Sequence, residues 1–230
     1  LDELEKLNKK YVLLTNAPRP NKTVIKFLKK MGLDEDKCRK VYTSGESALK
    51  YLEKNYKDKN FYHIGPPRDF DLFQLFEKNK INNLEQSDFI LCTGLFEEYE
   101  QELKYYKELF KNVTGKKMIC TNPDLIVDRG NITEYCAGAV AKIFEDLGGK
   151  VEYFGKPYPP VYQQAADIKN KKILCIGDNL NTDIKGANIQ NFDSMLISSG
   201  IHKKEIDKNI EKVQLKYNVK IDYYQSLLKW

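Results

Sequence analysis

Three short stretches of the chain hold side chains suited to chemistry. Thr15-Asn16-Ala17-Pro18 offers a hydroxyl, a side-chain amide and backbone N–H groups able to grip an oxyanion. Gly155-Lys156-Pro157 offers one cation, and Gly177-Asp178-Asn179-Leu180-Asn181-Thr182-Asp183-Ile184 sets two carboxylates five residues apart. Each directly follows a short apolar run that reads as a strand. In open α/β sheets, ligands bind just beyond the carboxyl ends of the strands. Donors, a cation and paired carboxylates at one sheet edge suit a phosphate with a hard divalent cation, which takes oxygen ligands.

Plainer structural readings stand beside these. Thr-Asn-x-Pro makes an ordinary turn or helix N-cap, and Lys156 could be a surface lysine beside a turn. Asp178 could cap a helix over 182–188, with Asp183 a first-turn acid favoured by the helix dipole. The pattern Gly-Asp-x-x-x-Thr-Asp after Ile173-Leu174-Cys175-Ile176 is the most specific of the three.

The elements that must position these loops alternate along the chain. Short apolar runs at 11–14, 41–44, 61–65, 89–93, 118–121, 151–154, 173–176 and 195–197 read as strands, with a late candidate at 219–221. Helical patterns read over 22–31, 46–55, 70–78, 97–110, 134–147, 161–167 and 182–188, and 1–10 reads as the end of an amphipathic helix. Buried strands alternating with helices predict a parallel sheet with helices on its faces. Pro66-Pro67 and Gly148-Gly149 are the candidate joints of an insertion, giving core 1–57, inserted domain 58–149 and core 150–230.

Composition bounds the rest. The 230 residues can bury a real core, and no apolar stretch of about 18 residues spans a membrane. Lys+Arg 38 against Asp+Glu 33 leaves +5, dispersed among acids rather than gathered into the stripe of a nucleic-acid binder. Five cysteines without Cys-x-x-Cys point to a reducing cytosol and no zinc site. With only His63 and His202, Ser-His or Cys-His catalysis has few candidates. A nucleotide-binding doubly wound protein would need a Gly-rich phosphate loop, and Gly45, Gly65 and Gly94 are isolated.

The order and form of the three loops resemble the haloacid dehalogenase (HAD) superfamily of phosphatases. Val12-Leu13-Leu14-Thr15-Asn16 resembles the family's second motif, Gly155-Lys156-Pro157 its third, and Ile176 to Ile184 its fourth. The intervening Thr121-Asn122-Pro123-Asp124 is similar to the class IIA, NagD-like branch. The resemblance implies a HAD-type Rossmann-like parallel core with an inserted α/β (C2-type) cap. It implies that Thr15 and Asn16 bind the transferring phosphoryl group and that Lys156 neutralises its charge. It implies that Asp178 coordinates Mg²⁺, Asp183 orients the metal's water shell with Asn179 close by, and Asn122 and Asp124 approach the leaving group. Such roles fit phosphoryl transfer, which is mainly positioning and charge stabilisation.

The family's first motif, Asp-x-Asp-Gly with the nucleophile and the general acid/base, does not occur in the chain. Asp34-Glu35-Asp36 follows a helix and Gly32, and Asp69-Phe70-Asp71 lies beyond Pro66-Pro67, so neither leaves a buried strand. The expectation is that the nucleophile lies upstream of Leu1, in a segment of roughly 25 to 35 residues. The alternative is an inactive phosphate-ligand-binding or scaffolding relative. The expected partner is a small phosphorylated metabolite, without nucleic acid or membrane, in the cytoplasm, with a homodimer through the cap as relatives form. Phe96, Tyr99, Tyr105, Tyr106 and Tyr135 read as core aromatics. Arg68 and Arg129 read as solvated loop charges rather than contacts to an anionic substrate.

Overall fold

The computed structural model describes residues 1–130 and 132–229, with the backbone alone at 128 and 129. It divides into two compact units, one of 11–155 and one of 1–10 with 156–230. The larger unit holds the whole of the expected insertion 58–149 together with the strands on either side of it.

In the larger unit, β1 (Leu13–Thr15) and β2 (Val41–Thr43) pair in parallel, Leu13 opposite Val41. Then come β3 (Phe61–Ile64), β4 (Phe89–Cys92), β5 (Lys117–Cys120), a hairpin of β6 (Ile126–Arg129) and β7 (Ile132–Tyr135), and β8 (Lys150–Tyr153). A four-stranded parallel sheet runs β3-β4-β5-β8. Its central strand β4 is apolar on both faces, as a sheet covered twice requires, whereas the edge strand β8 carries Lys150 and Glu152. Phe61, Phe89, Leu91 and Ile119 face Ala48 and Leu52 of the helix Ser44–Asn55, with Leu72, Phe73 and Phe76. Ile64, Ile90, Cys92, Met118 and Cys120 face the opposite way. There they pack against Tyr106 and Phe110 of the helix Leu103–Phe110 and Val140 and Phe144 of the helix Ala137–Asp146. The alternation in β4 and β5 is the period-two rule written into consecutive residues.

The smaller unit has three parallel strands, β9 (Leu174–Gly177), β10 (Asp193–Ile197) and β11 (Tyr223–Gln225), with β10 in the middle. Leu180, Ile184, Leu196 and Val213 form its core, with Ile206, Tyr217, Val219 and Ile221 partly buried around them. Among the described residues no helix is long and apolar enough to cross a membrane.

Several expected elements take another form. The helix expected over 134–147 starts at Ala137, because β-branched Ile126, Val127, Ile132 and Thr133 pair across the hairpin instead. The helix expected over 97–110 is interrupted: Glu97–Tyr99 is a 3₁₀ turn, and the α-helix begins at Leu103. The Phe96 N–H donates to Tyr106 Oη at 2.7 Å and Tyr99 stacks on Tyr105 with centroids 3.7 Å apart, so tertiary contacts replace helical ones. Residues 70–78 form two 3₁₀ segments, Pro67–Leu72 and Gln74–Asn79, rather than one α-helix. The last strand lies at 223–225, not 219–221, since the Lys220 carbonyl and the Asp222 carboxylate bond to Ser194 first.

Candidate active site

Thr15 ends β1, so its side chain and that of Asn16 stand at the carboxyl edge of a strand. Asn16 is 6% exposed, and its Nδ2 donates to Asp124 Oδ1 at 3.1 Å. Asp124 is held by an Asx turn, its N–H donating to Asn122 Oδ1 at 3.0 Å, and its carbonyl accepts the Gly138 N–H at 3.1 Å at the start of a helix. Gly155 closes this corner. It has φ +121°, and a Cβ there would lie 2.7 Å from Asn16 Oδ1 and 2.8 Å from Pro123 Cδ, so only glycine fits. The loop after β1 and the Thr-Asn-Pro-Asp loop after β5 therefore meet. The plain reading of Thr15 holds in part: its Oγ1 accepts the Ala17 N–H at 3.2 Å, a local turn bond.

The smaller unit assembles the other group. Lys156 Nζ donates to Asp183 Oδ1 at 2.6 Å, with side chains only 16% and 10% exposed, so Lys156 is no surface lysine. The Asn179 N–H donates to Asp183 Oδ2 at 3.1 Å, and the Asp183 N–H returns a bond to the Asn179 carbonyl at 2.9 Å. Both oxygens of Asp183 are thus engaged. A Cβ on Gly177 would collide with the Asp183 carboxylate, so the glycine before Asp178 makes room for this pair. The helix expected over 182–188 is a single wide π turn, Leu180–Ile184, followed by Lys185–Ile189. Its N-cap is Asn179, whose side chain accepts from the Asn181 N–H at 2.9 Å, and not Asp178. Asp178 instead turns to the loop after β10, its Oδ2 accepting the Ile201 N–H at 3.3 Å.

Among the described residues no group of three or more His, Cys, Asp or Glu side chains could hold a metal ion. Mg²⁺ keeps several waters and takes one or two carboxylates. Asp178, half-buried and accepting one backbone N–H on Oδ2, fits such a part, while Asp183 is committed to Lys156. Neither Asp-x-Asp sequence offers a nucleophile. Asp34 caps a short helix, accepting the Asp36 N–H at 2.9 Å, Asp69 is paired with Arg19, and Asp71 accepts the Thr23 hydroxyl at 2.9 Å.

The brace behind the first loop was not anticipated. The Ala17 carbonyl accepts the Gly45 N–H at 3.1 Å and Ser44 Oγ at 2.9 Å. Thr43 caps the helix at 44–55, accepting the Glu46 N–H at 2.9 Å, and Asn21 relays the rest: it accepts the Thr43 N–H and gives its own N–H to Glu46 Oε2. Thr43-x-x-Glu46 is a capping-box spelling, a signal legible in the sequence. Tyr106 is fully buried, and Phe96, Tyr99 and Tyr105 pack around the same core, whereas Tyr135 is 39% exposed. Arg68 is half-exposed beside Glu97, and the Arg129 side chain lies outside the described residues.

Comparison with known proteins agrees with this geometry. Residues 1–77 match the family described as haloacid dehalogenase-like hydrolase, and 153–222 match the HAD-hydrolase-like family. A haloacid dehalogenase-like hydrolase from Brucella suis superposes with a TM-score of 0.75 at 29% identity, over 86% of this chain and 76% of that one. The chain belongs to the haloacid dehalogenase-like hydrolases. Its place among them is the class IIA, NagD-like branch. The ribonucleotide monophosphatase NagD of Escherichia coli is 26% identical over 194 residues, 83% of this chain and 74% of NagD. The 5'-nucleotidase YutF of Bacillus subtilis is 24% identical over 172 residues, 72% of this chain. The match spans 64% of YutF, less than two thirds of that relative's length.

Proposed function

We propose that this protein is a Mg²⁺-dependent phosphatase of a small phosphomonoester, acting through an aspartyl-phosphate whose aspartate lies upstream of Leu1. The observation that carries the reading is the buried Lys156–Asp183 pair at 2.6 Å, set behind Gly177-Asp178 at the end of β9. A fold alone does not require a buried lysine past a strand end, and a dianionic substrate gives such a cation a use. The Thr15 hydroxyl and the Asn16 amide donate to the phosphoryl oxygens, and Lys156 neutralises the charge that the oxygens gather. Asp183 holds Lys156 in place with both of its oxygens engaged. Asp178 would hold Mg²⁺, which when bound supplies further charge neutralisation on the phosphate. Asp124, bonded to Asn16, and Asn122, bonded to Asp124, would border the leaving-group side. Phosphatase and nucleotidase relatives support the same chemistry. The five cysteines form no disulfide, which supports a reducing, cytoplasmic setting.

The test is a phosphatase panel of nucleoside monophosphates, sugar phosphates and pyridoxal phosphate, with Mg²⁺ and with EDTA, on protein made from the intact gene. Turnover that EDTA abolishes is expected. If the gene encodes no Asp-x-Asp-Gly ahead of Leu1, the hydrolase reading fails, and phosphate binding without turnover takes its place.

A further inference from the structure

The loop that carries Thr15 and Asn16 has an unusual anchor. Pro18 and Pro20 have no N–H to give, so two backbone positions past Ala17 cannot donate. Arg19 adds a further anchor to the brace at Ala17: its carbonyl accepts the Thr43 hydroxyl at 2.6 Å, and its Nε–H donates to Asp69 Oδ1 at 3.0 Å. Asp69 sits far along the chain, in the 3₁₀ segment after β3, and is 2% exposed. A carboxylate so buried needs partners, and it has two, Arg19 and the Thr93 hydroxyl at the end of β4. Thr93 Oγ1 lies 2.9 Å from His63 Nε2. Burial lowers the His63 pKa to about 3, so the ring is neutral. Arg19 and Thr93 both donate to Asp69, so the carboxylate joins the loop to the ends of β3 and β4.

We propose that Asp69 is a positioning residue for the phosphate-gripping loop, fixing Thr15 and Asn16 through Arg19 from the ends of β3 and β4. This rests on the phosphatase reading above. Phosphoryl transfer depends on donors placed to within about an ångström, so loosening this anchor weakens the grip without removing a contact to substrate.

The test compares Asp69→Asn, Arg19→Gln, the double variant and Thr23→Val in protein from the intact gene. Rates on p-nitrophenyl phosphate and inhibition by orthophosphate are measured well below the melting temperature. Asp69→Asn is expected to lower kcat/KM by about 10- to 100-fold. KM and the orthophosphate inhibition constant should rise together and account for most of the loss. The double variant should be no worse than the worse single one, since both cut one connection. Thr23→Val removes a comparable bond, to Asp71, that does not reach the loop, and should leave kcat/KM unchanged. Multiplying effects in the double variant, or an equal loss in Thr23→Val, overturns the proposal. If Asp69→Asn does not fold, Arg19→Gln alone must show the same rise in KM and inhibition constant, and normal values overturn it. A parent protein that neither hydrolyses p-nitrophenyl phosphate nor binds orthophosphate overturns this proposal and the phosphatase reading together. An active parent with an unchanged Asp69→Asn overturns this one alone.

Discussion

Lys156 and Asp183 lie 2.6 Å apart with little of either side chain in water, so removing one strands the other. Lys156→Met leaves a mostly buried carboxylate with only the Asn179 N–H, and should cost about 2 kcal/mol in urea unfolding, discounted for its residual exposure. In protein from the intact gene the same change should lower kcat about 100-fold, because the charge facing the phosphate is gone. Asp178 has a different kind of importance. Its bond to the Ile201 N–H survives replacement by Asn, so Asp178→Asn should fold normally. Turnover should nonetheless fall about 100-fold or more at any Mg²⁺ concentration, since a neutral amide is a poor ligand for a hard cation. Unchanged activity would remove Asp178 from the metal assignment.

The parallel sheet β3-β4-β5-β8 holds its loops still because it is covered on both faces. Phe144, from the helix Ala137–Asp146, is fully buried and meets Phe110 edge-on with centroids 5.0 Å apart. Phe144→Ala should cost about 3 to 5 kcal/mol by thermal or urea unfolding, as large-to-small changes in dense cores do. The same helix starts on the Asp124 carbonyl, so a loss of packing there should also loosen the Thr-Asn-Pro-Asp loop. The hairpin β6–β7 was hidden from the sequence by its neighbours. Glu134 and the alanines after it look helical in a window, and only pairing with β6 pulls 132–135 into a strand. Tertiary pairing overrides local propensity here, with Ile126 opposite Tyr135 and Val127 opposite Glu134.

Whole-molecule stability should respond to acid in a defined direction. An exposed His63 in the unfolded chain takes up a proton near its ordinary 6.5, whereas the buried ring resists to about 3. Between these values the unfolded state binds more protons, so stability falls as pH falls from 6.5 toward 3. The slope from one such group is at most about 1.4 kcal/mol per pH unit. His202, also lowered by burial, adds in the same sense. Asp69, raised by burial, acts the other way near pH 4, because its folded form accepts a proton more readily. Urea midpoints of His63→Gln between pH 7 and 4.5 should therefore fall less steeply than those of the parent, whatever the variant's stability at pH 7. An equal slope in the two proteins would show that His63 titrates freely when folded.

The alternation of apolar runs with helical patterns was enough to specify a parallel α/β protein, since buried strands must be apolar on both faces and such runs are contiguous in sequence. The motif residues were legible for the same reason: Thr15-Asn16, Lys156 and Asp178 to Asp183 each follow a strand directly, so local order reports their place at a sheet edge. What the sequence could not supply was every contact between residues far apart in the chain. The Asn16–Asp124 bond spans 108 positions, Arg19–Asp69 spans 50, and Lys156–Asp183 spans 27. No periodicity records such pairings; burial selects them, because a carboxylate removed from water must find a donor wherever the folded chain brings one.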